Sequence, residues 1–282
     1  MPAGETPSAT GGLALAAPVP NPELDRFLLR EGYGPAARLY HPVIHCWCGG
    51  SLAAPSGLPP EFDPYLQCTA CRCLVLKFVL TPEGLEELYG IRYFREHQRA
   101  IGLPGLESRW DSDALDRIPF WLQTIARYSR TGSLLEIGSS HGRFLREASR
   151  AGYRAVGLEL DAGVVAWARE RNGGLDIRQA RIETLADRDF DIVFVADVLE
   201  HVYDPRSFIT ACARVLRPGG HALFHTVVFD EPRECSLWLP RPLYHTVLYS
   251  RQSLTTLRSG PFRCLEILPG LFGCQFVVVQ KL

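Results

Sequence analysis

Leu134-Leu135-Glu136-Ile137-Gly138-Ser139-Ser140-His141-Gly142-Arg143-Phe144 is the stretch on which the fold turns. A short apolar run ends at a glycine, a tight turn follows, and a helix starts directly behind it. Gly138 and Gly142 are positions where a ligand can lie against bare backbone. The first turn of the helix offers N–H groups with no intrahelical partner. An ordinary glycine-bearing strand–helix turn reads the same way, so the flanking sequence has to decide.

From Ser133 onward, short apolar runs alternate with helical segments, the pattern of βαβ units and a mostly parallel sheet. Strands are expected near 134–138, 155–159, 176–180, 191–196, 221–227, 263–268 and 275–280. The helix before the fifth strand carries Phe208, Ile209, Cys212, Val215 and Leu216 on one face and stops at Arg217-Pro218-Gly219-Gly220. Too few residues separate the last two strands for a helix, so they pair antiparallel. Upstream, 21–41 holds a short amphipathic stretch with Leu24, Phe27 and Leu28 at helical spacing. Thr81-Pro82-Glu83 reads as a helix start, with an end near Gly90, and a further helix covers 119–130.

The turn lacks the G-x-G-x-x-G spacing of a dinucleotide site, because Ser140 stands at the second glycine and the third is absent. An acid, Glu136, precedes the first glycine. A carboxylate there suits a cationic ligand better than a diphosphate, and S-adenosylmethionine (SAM) carries a sulfonium and an ammonium and no phosphate. Glu159 ends the second strand 21 residues after Gly138 and is placed to accept hydrogen bonds from both ribose hydroxyls, while Asp161 caps the next helix. A solvated strand-end charge is the bland alternative for Glu159. Asp197, Glu200 and His201 close the fourth strand, where parallel strands line a ligand crevice. Asp197 faces the methionine end of SAM or the substrate there, or caps a helix.

On these motifs, the residues from about Gly132 to Thr226 resemble the class I SAM-dependent methyltransferases. The family pattern E-x-G-x-G-x-G appears as Glu136, Gly138, Ser140 and Gly142, with Ser140 a departure. The post-strand acid appears as Glu159. The stretch Phe190-Asp191 through Leu199-Glu200-His201-Val202-Tyr203-Asp204-Pro205 and the stretch Arg214-Val215-Leu216-Arg217-Pro218-Gly219-Gly220 follow in the family's order. The resemblance implies an α/β fold with a seven-stranded, mostly parallel Rossmann-like sheet and an antiparallel last strand. It also implies that adenine packs near Ala180-Arg181-Ile182, with Ile182 covering the ring.

Five of the nine cysteines lie between 46 and 73. His45-Cys46-Trp47-Cys48 and Cys68-Thr69-Ala70-Cys71-Arg72-Cys73 form two close thiol groups with 19 residues between Cys48 and Cys68. Cys46, Cys48, Cys68 and Cys71 make a tetrahedral zinc site feasible, structural because closed coordination leaves no position for substrate. His45 and Cys48 also share ligand spacing, so His45 competes with Cys46, and Cys73 is spare. A metal-free reduced loop or a disulfide is the alternative. The layout resembles a subset of bacterial methyltransferases with an N-terminal zinc segment and an aromatic stretch like Tyr89-Gly90-Ile91-Arg92-Tyr93-Phe94. Many of these tailor natural products. The segments expected are a disordered tail over 1–20, a zinc-binding segment over 21–80, a helical connector or lid over 81–130 and a SAM-binding domain over 131–282.

The chain has 282 residues with 30 basic against 31 acidic side chains, so no global positive field draws it to nucleic acid or anionic lipid. No apolar run approaches the roughly 20 residues of a membrane helix, and 1–20 lacks a basic signal region. The clustered thiols suit metal in a reducing, cytoplasmic setting. For a hydroxyl acceptor, a base of near-neutral pKa is useful. His245 and His225 are the candidates, ahead of His141, under an aromatic roof over 229–250 that includes Trp238, Tyr244 and Tyr249. A packed structural histidine is the bland alternative for each, and the commoner one. The resulting expectation is methyl transfer to a small molecule or peptide, as in natural-product tailoring, with O-methylation ahead of C- or N-methylation. The second class is an RNA methyltransferase gripping its substrate with the zinc segment. Arg72 as the sole Lys or Arg between His45 and Cys73 weighs against it.

Overall fold

The computed structural model describes residues 14–30, 39–58, 62–81, 105–229, 245–255 and 260–282. The helix expected after Thr81, the aromatic stretch 89–94, Cys235 and the roof residues Trp238 and Tyr244 lie outside them.

The first described part is built of short strands. β1 (Ala14–Leu15) and β2 (Val19–Pro20) flank β3 (Leu39–His45), which also pairs with β7 (Phe78–Leu80). The end of the stretch read as a tail is therefore paired backbone: its charge-poor residues add to an open strand edge, and the Ala16 N–H donates to the Pro42 carbonyl at 2.8 Å. Helix α1 spans Pro22–Arg30, with the Asn21 side chain accepting from the Leu24 N–H at 3.1 Å. Strands β4 (Leu52–Ala53), β5 (Tyr65–Cys68) and β6 (Leu74–Leu76) carry the cysteines between them.

Two helices precede the expected domain start. α2 (Leu106–Leu115) has no counterpart in the sequence reading, and α3 (Arg117–Ile125) begins two residues earlier and ends five earlier than the 119–130 helix expected. The Asp116 side chain accepts from the Arg117 N–H and sets that start, and Pro119 sits in the first turn, where no intrahelical N–H is needed.

Then come β8 (Gly132–Ile137), α4 (Arg143–Arg150), β9 (Tyr153–Glu159), α5 (Ala162–Arg171), β10 (Asp176–Gln179), β11 (Phe190–Ala196), α6 (Pro205–Val215), β12 (Leu216–Phe229), β13 (Val247–Ser250), α7 (Arg251–Thr255), β14 (Phe262–Pro269) and β15 (Cys274–Lys281). Pairing runs β10-β9-β8-β11-β12-β15-β14, parallel throughout except for the antiparallel β15. All seven expected strands are present. The Arg217–Gly220 breaker does not separate α6 from β12; it bulges inside β12, where the register jumps from Phe190↔Leu216 to Ile192↔His221.

β8 and β11 are buried on both faces, as parallel strands between helices must be. Leu135, Val193 and Val195 pack with Phe208 and Cys212, while Leu134, Ile192 and Phe194 pack with Trp121, Phe144 and Phe276. Each such large side chain taken from water stabilises the fold by about 1.5–3 kcal/mol. The end of β12 branches. Its residues 221–227 pair with β15, and Val228 and Phe229 pair with β13. β13 in turn pairs with β6, so the cysteine segment is hydrogen-bonded into the same sheet.

Candidate active site

The carboxyl ends of β8, β9, β11 and β12 meet at one edge, where an open α/β sheet offers its crevice. Gly138 and Ser139 both donate their N–H to the Leu158 carbonyl at 2.9 Å, closing the turn onto β9. Gly138 has φ 78° and lies under Val198, whose Cγ2 a Cβ there would strike. Ser140 has φ 45°, a left-handed conformation that glycine adopts freely and serine does not.

Glu159 closes on this turn. Its Oε2 accepts the Ser140 N–H at 3.0 Å, and Oε1 accepts those of Leu160 at 2.7 Å and Asp161 at 3.2 Å. Burial raises its pKa, against the pull of those three N–H groups. Asp161 caps α5 through the Val164 N–H at 2.7 Å, as expected. Ile182 sits buried in a single turn after β10, held by Arg214 on its carbonyl at 2.7 Å. Glu136 is buried beneath the turn. Burial pushes its pKa well up, and the charges of Glu159 and Asp113 add to the push. Its Oε2, with the Ser139 and Ser140 hydroxyls, has no hydrogen-bond partner. Buried polar atoms are normally satisfied. Three orphans at one strand tip, one of them a carboxylate oxygen, fit a ligand with hydroxyls and positive charge.

Asp197 turns toward α3. Its Oδ2 lies 2.9 Å from the Arg117 guanidinium and its Oδ1 3.0 Å from His225 Nδ1. Burial favours the neutral acid, but the His225 hydrogen bond and the Arg117 charge outweigh it and hold the carboxyl far below its usual range. The Leu271 N–H donates to His225 Nε2 at 3.3 Å, so Nδ1 carries the proton shared with Asp197. His225 is buried and both its nitrogens are engaged. That geometry makes it a support for Asp197 and leaves it no nitrogen for a substrate, which runs against its expected role as a base.

His141 is buried too. Its Nδ1 accepts the Arg143 N–H at 3.1 Å, and its Nε2 donates to Asp113 at 3.0 Å. Asp113 also meets Arg109 at 3.3 Å and Arg117 at 3.6 Å, so α2 and α3 cover the turn with an ion network. Sequence reasoning missed Asp113 and Arg117. The i,i+4 spacing of Arg109 and Asp113 within α2 was the available signal for Asp113, while Arg117 opens the next helix.

A second cluster lies at the β11–β13 side. Donor atoms of Glu200, His201 and His245 lie within 4.8 Å of one another, and the two imidazole rings are 5.0 Å apart. Thr226 donates to Glu200 Oε2 at 2.8 Å. Burial raises the Glu200 carboxyl to about 8, with the Asp197 charge contributing. A carboxyl and two imidazoles so placed are within reach to pass a proton between them.

The thiols gather as their spacing implies. Sulfurs of Cys46, Cys48, Cys68 and Cys71 all lie within 4.8 Å of one another, with 3.6 Å between Cys46 and Cys71 and 3.5 Å between Cys48 and Cys68. Four thiolates around zinc at about 2.3 Å stand about 3.8 Å apart, so these edges are close to a tetrahedral set. His45 is exposed and outside the group, while Cys46 is buried within it. Cys73 is not remote: its sulfur lies 3.2 Å from Cys71 and 3.3 Å from Cys46. All eight described cysteines are unbridged.

Residues 135–224 match the family model for a methyltransferase domain. A ubiquinone biosynthesis O-methyltransferase of Alkalilimnicola ehrlichii is 36% identical over 101 residues, 33% of this chain and 41% of the relative. One from Pectobacterium atrosepticum is 30% identical over 148 residues, 47% of this chain and 61% of the relative. The chain thus spans about half the length of such relatives. Among solved structures, a mitomycin 7-O-methyltransferase superposes with a TM-score of 0.53 at 18% identity, over 68% of this chain and 60% of that one. No described helix is long and apolar enough to cross a membrane. Residues 135–224 are a methyltransferase domain, set in a sheet with the fold of the class I SAM-dependent methyltransferases.

Proposed function

We propose that this chain transfers a methyl group from SAM to a small molecule or peptide in natural-product tailoring, with an oxygen acceptor favoured. The observation that carries the reading is the buried Glu136 carboxylate, whose Oε2 lacks a partner beside the glycine turn. A buried carboxyl oxygen without a partner is costly, and a cation beside it would favour the ionised form that burial disfavours. The curated relatives, named as O-methyltransferases, support the oxygen acceptor.

SAM supplies an already activated methyl group. The protein's share is then positioning and exclusion of water. Gly138, Ser140 and Gly142 give the backbone approach, with Glu136 behind the turn. Glu159 holds the ribose hydroxyls on the lone pairs its three N–H partners leave open. Ile182 covers the adenine face. Arg117 offers its guanidinium to the carboxylate of the methionine end, with Asp197 beside it for the ammonium. On the acceptor side, His245 takes the proton of a hydroxyl, with Glu200 and His201 within reach to share it. Zinc, held by Cys46, Cys48, Cys68 and Cys71, organises the segment that backs this side. The reduced thiols are consistent with a cytoplasmic setting.

Calorimetry of the full chain with S-adenosylhomocysteine tests the reading. One-to-one binding in the micromolar range is expected, and absence of heat at millimolar ligand sinks it.

A further inference from the structure

Strand β13 stands outside the seven-strand order, yet it starts two residues after His245. On one edge it pairs with the last two residues of β12, and on the other with β6 at Val247↔Val75 and Leu248↔Leu74. The ladder is two pairs long on each edge, and all four residues of the strand are buried, so a slip of one residue would turn every side chain to the opposite face. Contacts beyond the ladder add to its hold.

Some of these contacts run to the turn after β11, as the Tyr249 hydroxyl donates to the Leu199 carbonyl at 3.2 Å, and the others come from the thiol segment. The Tyr65 hydroxyl, fully buried, donates to the His245 carbonyl at 3.0 Å. At the far end, the buried Ser250 hydroxyl donates to the Cys71 carbonyl at 2.6 Å and accepts the Ser253 N–H at 2.9 Å. Gln252 adds a bond to the Ala70 carbonyl at 2.9 Å. Cys71 is one of the four clustered thiols, and Tyr65 lies three residues before Cys68.

We propose that Ser250 is a positioning residue: it ties strand 247–250 to the thiol knuckle, so that metal held there sets the register of the strand and the place of His245. The part played by His245 at the acceptor rests on the function proposed above; the coupling itself does not. One hydroxyl spans the junction with its donor and acceptor capacity both used, so alanine at 250 leaves the Cys71 carbonyl and the Ser253 N–H buried and unpaired.

Residue-resolved amide hydrogen exchange on the full zinc-loaded chain reads the coupling. In Ser250→Ala, amides of 247–250 should exchange at least tenfold faster, with zinc content and protection at 134–137 unchanged. Ser250→Thr should restore protection. The imidazole NMR signal of His245, identified by its loss in His245→Gln, should shift in the alanine variant and return in the threonine one. Wild-type exchange at 247–250 in Ser250→Ala overturns the proposal. If that variant loses zinc or unfolds, the unaltered chain stripped with a chelator decides. Faster exchange confined to 247–250 and the thiol segment supports the coupling. Unchanged exchange there, or equal loss of protection at 134–137, overturns it. Failure of S-adenosylhomocysteine to bind would remove the proposed function and leave this readout standing.

Discussion

Arg117 and Asp197, 80 residues apart in the chain, form an ion pair of 2.9 Å across the carboxyl end of the sheet. The pair joins the cover helix α3 to the strand tip where the methionine end of the donor is proposed to lie. Arg117 also stacks on the Phe272 ring at 4.8 Å, so its guanidinium is held from two sides. Arg117→Ala should weaken S-adenosylhomocysteine binding by roughly tenfold to a hundredfold, the 1.5–3 kcal/mol of a charge-assisted hydrogen bond. Calorimetry measures it, and undiminished affinity would take Arg117 out of the site.

Glu159 accepts the Ser140 N–H and so ties the second strand to the glycine turn. Glu159→Ala removes the ribose acceptors and leaves the N–H groups of Ser140, Leu160 and Asp161 without their partner. We expect affinity for S-adenosylhomocysteine to fall by more than about a hundredfold, two charged hydrogen bonds' worth. Glu159→Gln keeps one acceptor oxygen and should fall between. Equal affinity in all three proteins would place the ribose elsewhere.

The strand–turn–helix core was readable because its signals are local. Leu134, Leu135 and Ile137 make an apolar run broken only by Glu136, Gly138 and Gly142 mark the turn, and Asp161 caps α5 three residues ahead of the N–H it accepts. The residues that complete the site were not readable, because their partners are remote. Asp113 is buried by His141, 28 residues on, and Arg117 is fixed by Asp197. With Arg109 as its i,i+4 neighbour, Asp113 looks in sequence like one half of an ordinary surface pair. Cys73 looked spare because spacing along a knuckle does not show which way its sulfur points. Glu200 gave no sign of its burial, which depends on Thr226 in β12 and on the residues just ahead of β13 arriving from later in the chain.

Glu200 should make stability depend on pH in a particular sense. Burial, with the Asp197 charge second, lifts its folded pKa to about 8, above that of the unfolded chain. Such a group stabilises the fold below the ordinary carboxyl range, and that contribution fades as pH rises toward 8. Glu200→Gln stays neutral and can still accept from Thr226. Its stability relative to the parent should therefore rise between pH 5 and 8 by roughly 1 kcal/mol per unit, and level off above. Denaturant titrations across that range measure it; a difference independent of pH would show that Glu200 ionises normally.

Ser140 holds a left-handed backbone with φ 45°. That conformation costs a non-glycine residue about 1–2 kcal/mol, while glycine's greater unfolded freedom costs about 0.5–1 kcal/mol. Ser140→Gly should thus stabilise the chain slightly, by about 0.5–1 kcal/mol in a denaturant titration. A loss of stability would mean that the serine hydroxyl contributes to the fold more than its lack of a partner suggests.

The thiol cluster poses a choice of ligands that metal analysis resolves. Cys46 and Cys71 are each close to Cys73 as well as to each other, so a triangle of three sulfurs abuts the Cys48–Cys68 pair. Zinc takes four ligands. Cys48 and Cys68 have no substitute, whereas Cys73 is the sulfur left over from the four that lie mutually within 4.8 Å. Cys68→Ser should therefore lose zinc, falling from about one ion per chain to near none. It should also lower the thermal midpoint, since metal binding is folding free energy for a segment with little core of its own. Cys73→Ser should keep about one ion per chain and lose only the packing of one buried sulfur. Reversal of these two outcomes would exchange Cys73 for Cys68 in the ligand set; no zinc in the parent protein would leave the five thiols as a reduced cluster and withdraw the metal altogether.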